Sequence, residues 1–81
     1  MKTQWCEVKV LKNGRTDWPF INAVVSGVVS GGHTGDFHTD DRGIVQIMWY
    51  SDGDLKRIYV SGHTFEGPFE NGRNYTLSYW V

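Results

Sequence analysis

Apolar and polar residues alternate along most of this chain, and the three-to-four spacing of a helix is missing throughout. Cys6, Val8 and Val10 share one parity and Trp5, Glu7 and Lys9 the other, which is the pattern of a half-buried strand. In the run 44–50, Val45, Ile47 and Trp49 form a side with no polar member, opposite Ile44, Gln46, Met48 and Tyr50. Ile58 and Val60 extend the apolar face, with Lys56 on the same parity assigned to a sheet edge. Tyr75, Leu77, Tyr79 and Val81 alternate with Thr76, Ser78 and Trp80. The pattern predicts strands over 5–11, 21–30, 36–39, 44–50, 55–61 and 74–81, with a further short one near 64–69.

Turn residues punctuate these runs. Lys12-Asn13-Gly14-Arg15 and Ser51-Asp52-Gly53-Asp54 read as tight turns, and Thr39-Asp40-Asp41-Arg42-Gly43 reads as a hairpin connection. Trp18-Pro19-Phe20 is unsuited to a central strand because Pro has no N–H, so it is read as a crossing segment. Val24-Val25-Ser26-Gly27 followed by Val28-Val29-Ser30-Gly31 repeats every four residues, which predicts a bulge near Ser26-Gly27 or a strand covered on both faces. The segments 15–20 and 62–73 are read as connections that pass between two sheets. The fold class that follows is all-β, a small antiparallel β-sandwich of about six or seven strands with Greek-key crossings.

Length and composition narrow the picture. The 81 residues make one domain, residues 1–81. A chain of this size buries only about 60–65% of its unfolded surface, and four Trp, four Tyr and four Phe supply much of the filling. A net charge of −1 with interspersed signs excludes the basic footprint of a nucleic-acid binder. No run approaches the roughly 18–20 apolar residues that would insert in a membrane as a helix, and no signal-peptide pattern is visible. Cys6 is the only cysteine, so no disulfide forms within the chain, and its strand setting marks it as a small buried hydrophobe. The apolar strand reaching Val81 fits a domain excised from a longer chain.

Order along the chain carries a resemblance. Val8 to Gly14, then Pro19-Phe20-Ile21-Asn22-Ala23-Val24-Val25, then Thr39-Asp40-Asp41-Arg42-Gly43, then Asn74-Tyr75-Thr76-Leu77-Ser78-Tyr79 follow the sequence of landmarks in another group of domains. The chain resembles the carboxypeptidase regulatory-like domains, also called prealbumin-like or transthyretin-like. It departs from them in the Gly-Ser-rich second strand and the long 62–73 segment. The resemblance implies a prealbumin-like sandwich serving as a non-catalytic accessory or interaction module of a larger extracellular or cell-envelope protein, with a neighbouring domain or protein as partner. Transthyretin-related hydrolases end in Tyr-Arg-Gly-Ser, whereas this chain ends Tyr79-Trp80-Val81, so their activity is not expected. Pilus and adhesin modules of similar topology crosslink a desolvated Lys. Lys9 lies on the parity opposite the apolar face, so that crosslink is not expected either.

Three constellations bear on function. Trp5, Trp80, Tyr50 and Tyr59 all fall on the parity opposite the inferred core, and exposed aromatic surface marks binding sites. Together they form a candidate platform for a partner or a sugar ring, making a carbohydrate-binding module the alternative function. His33, Asp36 and His38 are the candidate metal ligands, with Asp36 and His38 on one side of the predicted strand 36–39. A metal-binding protein or enzyme on this segment ranks third, since the segment reads more simply as a solvated loop. No nucleophile motif is present, so no catalytic residue and no cofactor is assigned.

Overall fold

β-Branched and aromatic residues fit a pleated surface, and the described residues meet that preference with strands as their regular elements. A computed structural model describes residues 3–81. It contains β1 (Thr3–Lys12), β2 (Val24–Val29), β3 (Gly32–His33), β4 (Phe37–His38), β5 (Ile44–Tyr50), β6 (Leu55–Val60), β7 (His63–Phe69) and β8 (Asn74–Tyr79). One sheet has the order β5-β1-β8; the other runs β3-β2-β6-β7, with β4 pairing β2 on the β3 side. The chain passes between the sheets after β1, β4, β5 and β7, so the all-β, two-sheet sandwich is formed by crossings.

The inner faces are those the alternation marks. Cys6, Val8 and Val10 of β1 face Ile47 and Trp49 of β5 and Val25, Ile58 and Val60 of the second sheet in one buried cluster. Phe69 and Tyr75 close the side near β7 and β8 with an edge-to-face contact at 4.9 Å. At one end, Phe20 meets Tyr79 edge-to-face at 4.7 Å, and Lys12 Nζ stands 4.7 Å over the Phe20 ring.

Several expectations need correction. Among the described residues there are eight strands, and β1 and β8 are parallel, Glu7 opposite Asn74 and Lys12 opposite Tyr79. The turn before β8 is tied to β1: Gly72 N donates to Trp5 O at 2.7 Å, and Trp5 N donates to Asn71 Oδ1 at 2.9 Å. No bulge occurs at Ser26-Gly27. β2 pairs regularly with β6, and Gly27 simply faces inward, where a Cβ would come within 3.0 Å of Leu55 Cδ2. The irregularity is in β6 instead, between Leu55 and Arg57, and it sends Leu55 inward and Lys56 outward. Lys56 therefore sits on an inner strand of its sheet and not at the edge.

The segment 62–73 is no loose connection. Val60 pairs with His63 across the two-residue turn Ser61-Gly62. Both turn residues take positive φ, 45° and 87°, the geometry that matches the twist of a hairpin. Pro68 is accommodated because β7 is an edge strand.

Thr39–Gly43 makes the tight turn its composition implies but not the hairpin expected of it: β4 pairs β2 and β5 pairs β1, so the turn carries the chain from one sheet to the other. Asp40 Oδ1 accepts from Arg42 N at 2.8 Å and from Ile44 N at 3.0 Å, while Gly43 N donates to Asp40 O at 3.0 Å. Gly43 has φ 75°, and a Cβ there would stand 2.6 Å from Val10 O. Thr39 is buried. Its Oγ1 donates to Phe20 O at 2.5 Å and accepts from Ala23 N at 2.8 Å, joining the Pro19–Val25 segment to the turn.

Two predictions follow from this turn. Thr39→Val strands the Ala23 N–H and the Phe20 carbonyl, each unmet buried group costing about 1–3 kcal/mol; urea denaturation will show a loss of about 2 kcal/mol or more, and Thr39→Ser will recover most of it. The Ile44 N–H, and then the Arg42 N–H and guanidinium, hold the Asp40 carboxyl below its ordinary range. Its contribution is thus complete above the unfolded value of about 3.9 and is lost as pH falls through the lower folded value. The stability gap between the wild type and Asp40→Ala will close in acid, and a gap independent of pH would refute this role.

Candidate functional site

β5 places its side chains on two very different surfaces. Val45, Ile47 and Trp49 point into the sandwich, and Trp49 Nε1 donates to Gly53 O at 3.1 Å, which anchors the indole beneath the following turn. Gln46, Met48 and Tyr50 point outward; Met48 is 42% exposed and Tyr50 64%. Large apolar side chains so exposed on a small domain are candidates for contact.

A cleft of about 430 Å³ opens between the C-terminal half of β5 and the β2–β4 side of the other sheet. Val29, Phe37 and Trp49 are its buried and half-buried members, and Met48, Tyr50 and His33 are exposed. Thr34 and Gly35 complete it where the edge of the second sheet is interrupted. The interruption has a cause. Thr34 Oγ1 accepts from Gly27 N at 2.8 Å and donates to Gly35 O at 2.8 Å. A side chain thus takes the place that a strand backbone would hold, and β3 and β4 remain separate two-residue pieces.

The four aromatic residues proposed as one platform are divided by the fold. Trp5 lies opposite Met48, and Tyr50 opposite Thr3, so Trp5, Met48 and Tyr50 share the outer face of the β5-β1-β8 sheet. Trp80 follows Tyr79, the partner of Lys12, which puts it about 25 Å from Trp5 at roughly 3.3 Å per residue. Tyr59 belongs to the outer face of the other sheet, where its ring stacks on His33 with centroids 6.4 Å apart. Trp5, Tyr50 and Tyr59 take the outward parity of their strands and Trp80 lies just past β8, but parity alone does not say which sheet or which end a strand occupies.

The metal candidates are also separated. His33 pairs with Val28 and His38 with Val24, about 13 Å apart along β2. Asp36 precedes the two-residue strand β4 and is exposed. Among the described residues, no group of three or more His, Cys, Asp or Glu is placed to hold a metal ion. Asp40 is committed to its turn, and two further charged pairs lie on the surface: Arg15 with Asp17 at 2.9 Å and Arg57 with Glu66 at 2.9 Å.

Sequence reasoning assigned Trp49 to the core and did not foresee the cleft beside it. The available signal was local: Met48 and Tyr50 on the outward parity, together with the glycines at 31, 32 and 35 that cannot fill a sheet edge. No family model matches the sequence, and no curated protein and no solved structure matches it significantly.

Cys6, the single thiol, is fully buried, and burial pushes its pKa up to about 11. In the native protein a thiol reagent will therefore label it only as fast as the chain opens, and denaturant will release the block; rapid labelling of the folded protein would contradict this burial.

Proposed function

We propose that this domain is a non-catalytic interaction module, an accessory part of a larger extracellular or cell-envelope protein, and that it holds its partner at the β5 cleft. The observation that carries the reading is the cleft itself, with Trp49, Phe37 and Val29 inside and the exposed Met48 and Tyr50 at its mouth. A volume near 430 Å³ falls within the roughly 300–1,000 Å³ of ligand clefts, and a mostly apolar lining with few polar groups is the usual composition of a binding site. The ionisable side chains at the cleft are His33 and Tyr50. Among the described residues neither is hydrogen-bonded to a group that would orient it for proton transfer, which favours binding over catalysis. The ordered landmarks shared with carboxypeptidase regulatory-like domains support the same assignment.

NMR titration tests the reading. Indole, p-cresol and leucine amide are expected to shift the amide signals of Val29, His33, Gly35, Met48 and Tyr50, and Tyr50→Ala is expected to weaken the effect while the domain stays folded. Shifts scattered over the surface would overturn the cleft as the binding site. Saturable binding of an oligosaccharide panel to the Trp5–Tyr50 face, with silence at the cleft, would replace the reading with a carbohydrate-binding one.

A further inference from the structure

The cleft lies along the outer edge of β5, where beyond Ile44 the backbone is paired with no other strand among the described residues. Gly43 O accepts from Val10 N at 2.8 Å, and Ile44 O accepts from Asp40 N at 2.9 Å. Consecutive residues of a strand direct their N–H and C=O groups to opposite sides. Ile44 thus faces away from β1, and so do Gln46, Met48 and Tyr50. Asp40 satisfies Ile44. Among the described residues, no strand pairs with the outer side of β5 beyond that point.

Two of the other edges are blunted in ways that β5 is not, and the third, β8, is more polar than β5. β7 carries Pro68 and, opposite it, the irregularity between Leu55 and Arg57. The β3–β4 edge is broken at Thr34. β8 presents Asn74, Thr76 and Ser78 on its outer parity. β5 is seven residues long, regular and without a charged residue, Ile-Val-Gln-Ile-Met-Trp-Tyr. Long, flat, apolar edges are templates for another strand, and soluble proteins usually protect them.

We propose that β5 accepts an extended peptide as an added strand, hydrogen-bonded to Gln46, Met48 and Tyr50, with alternate apolar side chains entering the cleft and basic residues flanking the segment. The inference rests on the reading of the cleft as a binding site and specifies the occupant. Strand addition draws affinity from the main chain and specificity from pockets for alternate side chains; here the cleft supplies such a pocket beside the free edge. The flanks are set by charge. Asp40 and Asp41 lie at one end of β5, and Asp52 and Asp54 at the other, all exposed. The cation among them, Arg42, is 3.4 Å from Asp40. A second copy of this chain pairing antiparallel through β5 would set Asp40 and Asp41 of one molecule beside Asp52 and Asp54 of the other, a like-charge contact that works against self-pairing. A segment ending in Lys or Arg meets both acidic ends favourably.

The test uses the intact domain and a synthetic peptide of alternating valine and threonine with lysine pairs at both ends. The lysine-flanked peptide is expected to bind about tenfold or more tightly than its glutamate-flanked counterpart at low salt. It is expected to slow amide exchange at Gln46, Met48 and Tyr50 by about tenfold or more. N-methylation of one alternate set of peptide residues will abolish binding while methylation of the other set will not, a comparison that leaves the protein unaltered. Met48→Pro, which deletes an outward N–H on an edge strand that tolerates Pro, will also remove binding. Equal binding of both methylated peptides, equal binding of both charge forms, protection along β7 or β8, or dimerisation through β5 in place of peptide binding would each overturn the proposal. If the peptide fails while small fragments still fill the cleft, strand addition falls and the cleft reading stands; silence from both probes removes the two together.

Discussion

The backbone of Val10 divides its two hydrogen bonds between different segments, and the rest of the sandwich is arranged around that division. Its N–H goes to Gly43 O, while its carbonyl receives the N–H of Phe20. β1 therefore has β5 as neighbour for most of its length and the Pro19–Phe20 segment for the remainder. The exchange needs three strands of chain to meet with no side chain between them, which is why Gly43 stands where a Cβ would collide with Val10 O. Thr39 completes the junction from below by bonding both Phe20 and Ala23. A buried hydroxyl that satisfies two backbone groups at once has few substitutes, since an apolar residue of the same shape leaves both unmet.

From that junction the sheets acquire their spacing. Ala23 is small and buried where the chain enters β2, and Val25 then meets Val60 in register. Gly27 lets Leu55 pack into the second sheet from its own side, so the two central strands of that sheet fit without a bulge. The core is filled largely by β-branched residues along β1, β2, β5 and β6, with Leu55, Phe69 and one deep indole, Trp49, beside them. Packing that indole inward leaves its neighbours Met48 and Tyr50 on the opposite parity, directed to the solvent. The cleft is thus a by-product of how β5 satisfies the core, combined with the broken edge at Thr34 facing it.

Much of this was legible in the sequence because alternation is a local property. The inward sets Cys6-Val8-Val10, Val45-Ile47-Trp49 and Ile58-Val60 are buried as their spacing implies. The Asp40 turn was readable for a similar reason, since its bonds span only a few residues. What escaped notice depends on partners far away in the chain. Val-Ser-Gly occurs at 25–27, 29–31 and 60–62, yet only the last two are hairpin turns. The first lies in mid-strand because Leu55 requires an inward glycine there. The short strand expected near 64–69 is β7, where Pro68 is tolerated at the sheet edge. The aromatic residues failed as a single platform for the same reason: their orientation is set within a strand, but their proximity is set by strand order.

The parallel pairing of β1 with β8 has a mechanical side. Thr3 begins β1 at one end of the domain, and Tyr79 finishes β8 at the other, both strands pointing the same way. Tension applied through those two residues pulls the strands in opposite directions along their common axis. The hydrogen bonds from Glu7–Arg73 through Asn13–Tyr79 then resist in shear, all loaded together and not opened one by one as in an unzipping hairpin. Asn13 Oδ1, accepting from Val81 N at 2.9 Å, adds a clasp at the far end of the same seam. A domain wired in this way transmits a pull along its length as a stiff link.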